Sequence, residues 1–217
     1  MMRRLFSCLS LVGALALTGC ASGPKFDYTA FKASRPRSIL VLPPVNESPD
    51  VKATDSMLSQ VTVPLAESGY YVFPVALVRE TFRNNGLTTP NDIQAVPAQK
   101  LREIFGADTA LYITVSEYGT KYQVIQSVTV VKASAKLVDL KTGVTLWSGS
   151  ASASSGEGNT GSGGLIGMLV SAVVTQIINT ASDASFGIAG ITANRLLMAQ
   201  KPNGLLYGPR SPKYQSD

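Results

Sequence analysis

Two residue types decide what chemistry this chain can do. Its 217 residues include no histidine and only two cysteines, Cys8 and Cys20. Without imidazole, Ser-His-Asp and Cys-His nucleophilic catalysis are excluded, and the commonest zinc ligand is missing. The 14 acidic side chains are scattered, with no pair spaced to present two carboxylates from one helix face beside a pocket. No catalytic residue, metal ligand or cofactor is therefore expected. The reactive group that remains is the thiol of Cys20, which closes the run Leu17-Thr18-Gly19-Cys20. A thiolate is the nucleophile needed to form a thioether to a diacylglycerol.

The residues before Cys20 supply what an export signal requires, in order: Arg3 and Arg4, the apolar stretch Leu5 to Leu17, then small Gly19. That stretch is shorter than the roughly 20 residues needed to span a bilayer. Together these features read as a lipobox, with residues 1–19 a cleaved signal peptide and Cys20 the lipidated first residue of the mature chain. A diacylglycerol plus an amide-linked acyl chain such as palmitate gives firm anchoring, where a single chain is marginal. Ala21 after the cysteine, in place of an aspartate, resembles the sorting signal for the outer membrane. Cys8 leaves with the signal, so the mature fold has no disulfide and needs an ordinary core. Loss of Arg3 and Arg4 lowers the formal charge from +5 to +3, from 17 basic and 14 acidic side chains. This is too mild to argue for nucleic acid.

The elements that carry the domain are read from periodicity. Residues 20–37 mix proline, glycine and charge without a period and read as a lipidated tether. Ser38 to Leu42 is a continuous apolar run stopped by Pro43-Pro44, which fits a strand buried on both faces. Asp55 to Gly69 has helical spacing at Met57, Leu58, Val61 and Leu65, with Pro64 expected to bend or restart the helix. Tyr70 to Val75 reads as a strand, and Ala76 to Asn84 and Pro97 to Phe105 as helices, the latter stopped by Gly106. Three strands follow, Ala110 to Val115, Val128 to Leu140 and Val144 to Ser152, the first two alternating with period two. Asp139-Leu140-Lys141-Thr142-Gly143 is a turn between the last two, with Asp bonding the local backbone and Gly left-handed. The expected fold is α/β, a mixed parallel and antiparallel sheet with flanking helices over residues 38–155.

The Pro-Pro-terminated strand, Gly106-Ala107-Asp108 before a tyrosine-containing strand, and Asp139-x-x-Thr142-Gly143-x-x-Leu146-Trp147 together resemble the CsgG-like outer-membrane lipoproteins. Within these the chain is most similar to the neisserial antigen-type lipoproteins, a family of unknown function often labelled peptidoglycan-binding. The resemblance implies a CsgG-like, anticodon-binding-domain-like sheet, and relatives that include the secretion channel CsgG, the export lipoprotein PelC and the synthase activator LpoB. Fold does not choose among their roles.

Gly156-Glu157-Gly158-Asn159-Thr160-Gly161 matches G-x-G-x-x-G, yet it follows an antiparallel strand and no parallel strand succeeds it. It reads as part of a flexible Gly/Ser loop, residues 156–164, because a dinucleotide site needs βαβ context. Residues 165–199 read as a C-terminal helical pair packed on the sheet. The first member, Leu165 to Ser182, has no charged side chain; it is amphipathic, with Ile166, Leu169, Val173 and Ile177 on its apolar face. The second, Ala184 to Ala199, carries small residues that permit close approach. Residues 200–217 read as an extended tail. Ile166, Leu169, Val173, Ile177 and the tail's Tyr207 form the expected interaction surface.

These readings converge on an outer-membrane lipoprotein facing the periplasm, non-enzymatic, acting as an accessory or assembly component in envelope biogenesis or secretion. Its expected partners are membrane lipid through Cys20 and further copies of itself or other envelope lipoproteins. The alternative is a peptidoglycan binder or regulator of a peptidoglycan synthase, as in LpoB. Pore formation is not expected, since Val144 to Ser155 becomes Ser/Ala-rich and offers lipid no apolar face.

Overall fold

The computed structural model describes residues 26–122, 127–157, 183–199 and 202–216. The chain enters through α1 (Thr29–Ser34), β1 (Ser38–Val41) and β2 (Val45–Asn46). It continues through α2 (Ala53–Gln60), α3 (Thr62–Glu67) and β3 (Tyr71–Val72). Three helices follow, α4 (Val75–Asn84), α5 (Pro90–Gln94) and α6 (Ala98–Phe105). The strands β4 (Thr109–Tyr122), β5 (Ser127–Asp139) and β6 (Thr145–Ser154) then precede α7 (Ala184–Leu197). The sheet order is β3-β1-β4-β5-β6, with β2 also pairing β4. β1, β2, β3 and the start of β4 run parallel, whereas β4, β5 and β6 form an antiparallel meander. This is the mixed α/β class that the sequence predicts.

The predicted two-sided burial of β1 is observed. Ile39 and Val41 enter one core with Met57, Val61, Leu65, Leu111 and Leu137, while Leu40 and Leu42 enter a second with Val78, Phe82, Ile93 and Leu101. Pro43-Pro44 removes two donors and ends β1, and the chain rejoins β4 four residues later as β2. The helical stretch after residue 52 divides at Val61, with Pro64 inside the first turn of α3, where a missing N–H costs nothing. Gly106 ends α6 in the left-handed conformation.

The turn after β5 is held as expected. Asp139 Oδ1 accepts the backbone N–H groups of Lys141 and Thr142, each at 2.8 Å, and Gly143 has φ +74°. Asp139 is buried and also accepts the Ser34 hydroxyl. Burial raises its carboxyl, but the hydrogen bonds from Ser34, Thr142 and Lys141 outweigh it and hold the pKa below the ordinary value. A register shift between Leu137 and Val138 then lets consecutive Leu146 and Trp147 both enter the core.

Three expectations are corrected. Residues 26–37 are not tether: α1 buries Phe31, and Phe26, Tyr28 and Phe31 form a chain of ring contacts. Residues 202–216 are not extended. They turn repeatedly and pack along the other end of the chain, with Leu205 buried, Trp147 Nε1 donating to Asn203 O at 3.0 Å and Tyr70 Oη donating to Leu206 O at 2.6 Å. Finally, β4 is longer than Ala110 to Val115. A bulge between Val115 and Glu117 carries the ladder past the polar residues that masked its period, and Tyr118 returns to the core. Of the expected helical pair, the second member is observed as α7, and Leu165 to Ser182 lies outside the described residues.

One contact fixes the tail. Gly208 N donates to Ser68 O at 2.8 Å and Arg210 N to Gly69 O at 3.0 Å, which presses two glycine backbones together. A Cβ on Gly69, at φ +95°, would stand 2.4 Å from Ser211 N, and a Cβ on Gly208 would stand 2.5 Å from Gly69 O. Gly69→Ala is expected to cost about 2–4 kcal/mol through strain and overpacking, and Gly208→Ala less. Thermal melts combined with limited proteolysis check this, with cleavage appearing first in the released tail.

Asp139 gives a pH signature. A carboxyl lowered in the folded state adds stability that is complete above its unfolded value, near pH 4, and is lost as pH falls through the lower native value. The stability advantage of the native chain over Asp139→Asn should therefore be flat at neutral pH and shrink below about pH 4 in urea titrations.

Candidate functional site

Among the described residues no group of three or more His, Cys, Asp or Glu side chains could hold a metal. The carboxylates with displaced titration are Asp27, Glu117 and Asp139, all displaced downward. A general acid needs the opposite shift. For Glu117 the causes are the hydrogen bond and charge of Lys121, then the charge of Lys132. Glu157, in the glycine-rich segment that mimics a dinucleotide motif, is engaged by Arg195 through two contacts, of 2.9 and 2.6 Å. The same guanidinium donates to Ser152 O, so this pair ties α7 to the end of the edge strand β6.

What the fold offers instead is surface. One face of the sheet is covered by α2, α3 and α7. On the other face, the core beneath α4, α5 and α6 takes in Leu40, Leu42, Ala110 and Leu140 and ends with Tyr112 packed at its margin. Beyond it the meander turns a polar face outward, and the register sets its rows. Tyr112 pairs Lys136, which pairs Ser148; Thr114 pairs Ser134, which pairs Ser150; Glu117 pairs Lys132, which pairs Ser152. The alternate residues Val131, Ala133, Ala135 and Leu137 are buried, so this is the solvent side of a half-covered sheet.

That face forms a shallow depression of about 560 Å³. Gln94 stands at its edge, its Nε2 donating to Pro43 O at 2.9 Å and Ile113 O at 3.0 Å, which pins α5 to the sheet. Lys136 Nζ lies 4.9 Å from the centroid of the Tyr112 ring. Burial raises the Tyr112 pKa, which keeps the phenol protonated as a donor. The hydroxyls of Thr114, Ser134, Ser148, Ser150 and Ser152 make no hydrogen bond among the described residues. The surface thus combines hydroxyls that make no hydrogen bond among the described residues with the ammonium groups of Lys132 and Lys136 and the carboxylate of Glu117.

A second concavity, of about 310 Å³, lies where α1 meets the tail. Phe31, Pro36 and Leu206 give it an apolar floor, Tyr207 and Tyr214 form its walls, and Lys32 and Arg35 stand at its rim. Tyr207 is therefore the one residue of the predicted interaction surface that the structure places, half-buried against this cleft. Ile166, Leu169, Val173 and Ile177 lie outside the described residues, as do Leu17, Thr18, Gly19 and Cys20. The polar face was not singled out from the sequence, although its signal was present: the Lys132-Ser134-Lys136 alternation and the serines of β6 become one site only through the register.

The described residues form an α/β domain built on a mixed parallel and antiparallel sheet. The profile of the family described as "Putative lipoprotein GNA1162-like" matches residues 26–210, and the chain belongs to that family. The "Putative lipoprotein NMB1124/NMB1162" of Neisseria meningitidis serogroup B (strain ATCC BAA-335 / MC58) is 54% identical over 204 residues, 93% of this chain and 94% of that protein. The crystal structure of lipoprotein GNA1162 from Neisseria meningitidis is 59% identical, with a TM-score of 0.55, over 67% of this chain and all of that one, 100%. The LpoB C-terminal domain from Salmonella enterica is more distant, at 19% identity and a TM-score of 0.41 over 65% of this chain and 90% of that one. The family match begins at Phe26 and ends at Arg210, so it includes α1 and much of the tail. No helix among the described residues is long and apolar enough to cross a membrane.

If the polar face is kept for binding, its cations carry no folding burden. Lys132→Ala and Lys136→Ala, both at exposed positions, should each change unfolding free energy by less than about 0.5 kcal/mol in denaturant titrations.

Proposed function

We propose that this protein is an outer-membrane lipoprotein, anchored through Cys20 with its domain in the periplasm, that acts as a non-enzymatic accessory or assembly component in envelope biogenesis or secretion. The observation that carries this reading is the open polar face of β4, β5 and β6, a broad recognition surface with no reactive group. Membership of a lipoprotein family and the order Arg3-Arg4, apolar stretch, Gly19, Cys20 support the anchor. The partners this reading names are membrane lipid at Cys20 and further copies of the chain or other envelope lipoproteins at the polar face.

One observation favours a second reading, binding to peptidoglycan or regulation of its synthase. Lys132 and Lys136 among free hydroxyls match a polymer that carries both carboxylates and hydroxyls. A single experiment separates the two. Photo-crosslinking residues placed at Ser134 and Ser150 in intact cells should give adducts with a second copy or another envelope protein, while Cys20→Ser abolishes palmitate labelling. Retention of a strictly monomeric chain on isolated peptidoglycan, lost in the Lys132→Glu, Lys136→Glu double variant, would favour the second reading. Absence of both adducts and retention would overturn the role given to this face.

A further inference from the structure

The cleft between α1 and the tail carries more than its shape. Backbone strain gathers around it. Among the described residues three that are not glycine have positive φ: Arg35 at +49°, Asn203 at +61° and Gln215 at +64°. Arg35 and Gln215 line the cleft, and Asn203, three residues before the lining Leu206, accepts the Phe26 N–H through its Oδ1 at 2.9 Å. Arg35 sits just past the C-terminus of α1, where glycine is ordinarily favoured because a side chain in this conformation costs roughly 1 kcal/mol or more. Such strain persists where it serves function.

Arg35 gains no contact in return. Its side chain is exposed, and its guanidinium makes no hydrogen bond or ion pair among the described residues. What the left-handed turn provides is position: the charge stands at the rim of an apolar-floored cleft beside Lys32. Lys213 lies outside the lining, its Nζ 5.7 Å from the centroid of the Tyr207 ring. No acidic side chain lines the cleft. Two cations, Lys32 and Arg35, over phenylalanine, proline, leucine and tyrosine match a ligand with an anionic, oxygen-rich head and an apolar body. A guanidinium binds phosphate oxygens in bidentate fashion, which a bare ammonium does not.

The chain outside the described residues says where such a ligand is found. Cys20 lies six positions before Phe26. At about 3.4 Å per residue the lipidated end is within roughly 20 Å of the domain even when fully extended. Phe26 in turn is bonded to the tail that builds the cleft, so this end of the molecule is the one nearest the bilayer.

We propose that the cleft between α1 and the tail binds the phosphate-bearing headgroup of an anionic phospholipid of the anchoring bilayer, with Arg35 and Lys32 on the phosphate and Phe31, Leu206 and Tyr207 against the apolar body. This rests on the anchored reading given above. The headgroup contact would orient the domain, so that the lipid chains on Cys20 hold the protein at the membrane while the cleft sets which face looks away from it.

The test uses the full-length protein extracted from membranes and reconstituted into vesicles of phosphatidylcholine, alone or mixed with phosphatidylglycerol, each doped with a photoreactive phospholipid of the matching headgroup. Crosslinked peptides containing Tyr207 or Tyr214 are expected with phosphatidylglycerol and not with phosphatidylcholine. Arg35→Gly should reduce adduct yield about tenfold, the worth of one charge-assisted hydrogen-bonding group. The same variant should melt at a higher temperature, because glycine relieves the left-handed turn. A residue kept for folding alone would give the reverse. Equal adducts with both lipids, unchanged adducts in Arg35→Gly, or a lowered melting temperature in that variant would each overturn the proposal. Intact-mass measurement of the same preparation reports acylation of Cys20 independently. An unacylated chain that still gives the phosphatidylglycerol-specific adducts from added vesicles would sink the anchor and spare the cleft.

Discussion

The antiparallel ladder between β4 and β5 runs well beyond the helices that shield one of its sides, and the organisation of the domain follows from that mismatch. On the shielded side α2, α3 and α7 bury the alternate apolar residues of three strands. On the other side α4 follows β3 and α6 leads into β4 through short connections, and the reach of these helices ends near the beginning of β4. A sheet longer than its cover must present either apolar residues, which would aggregate, or polar ones. Here the second strand of the ladder alternates lysine and serine with alanine and valine, and the third does the same with serine. The open face is therefore the solvent side that the pleat demands.

The main core is completed by segments from both ends of the sequence. Phe31 from α1 and Leu205 from the tail enter the same cluster as Trp147. The indole occupies the position that holds them together: its Nε1 binds Asn203 O, and Gly149 leaves room for its ring, since a Cβ there would stand 2.4 Å from the indole Cζ2. The Leu146-Trp147 end of the Asp139 motif is thus less a hairpin marker than a socket for distant chain.

Features legible in the sequence were those decided by neighbours. The two-faced strand Ser38 to Leu42, the break near Pro64, the stop at Gly106 and the Asp139 turn each rest on contacts within a few residues. Helix α5 was equally local and was overlooked: Thr89 caps it, accepting the Asp92 N–H at 3.2 Å, with Pro90 at its first position. The rest depended on long-range partners. Phe26, Tyr28 and Phe31 lie among charges and show no period, and their burial needs a tail some 176 residues away. The rows of the polar face need the register of three strands, which no single strand reveals.

The ends of the domain meet along a seam that includes Phe26 N donating to Asn203 Oδ1 and Tyr28 Oη donating to Gly204 O. A pull applied at residue 26 therefore enters the fold where entry and exit segments hold each other. Those bonds would open one after another, as in peeling, while the strands of the sheet, which are linked side by side through many bonds, bear little of the force. If the chain is held at its N-terminal side, as proposed above, the seam would act as a mechanical fuse, releasing α1 and the tail before the strands of the polar face.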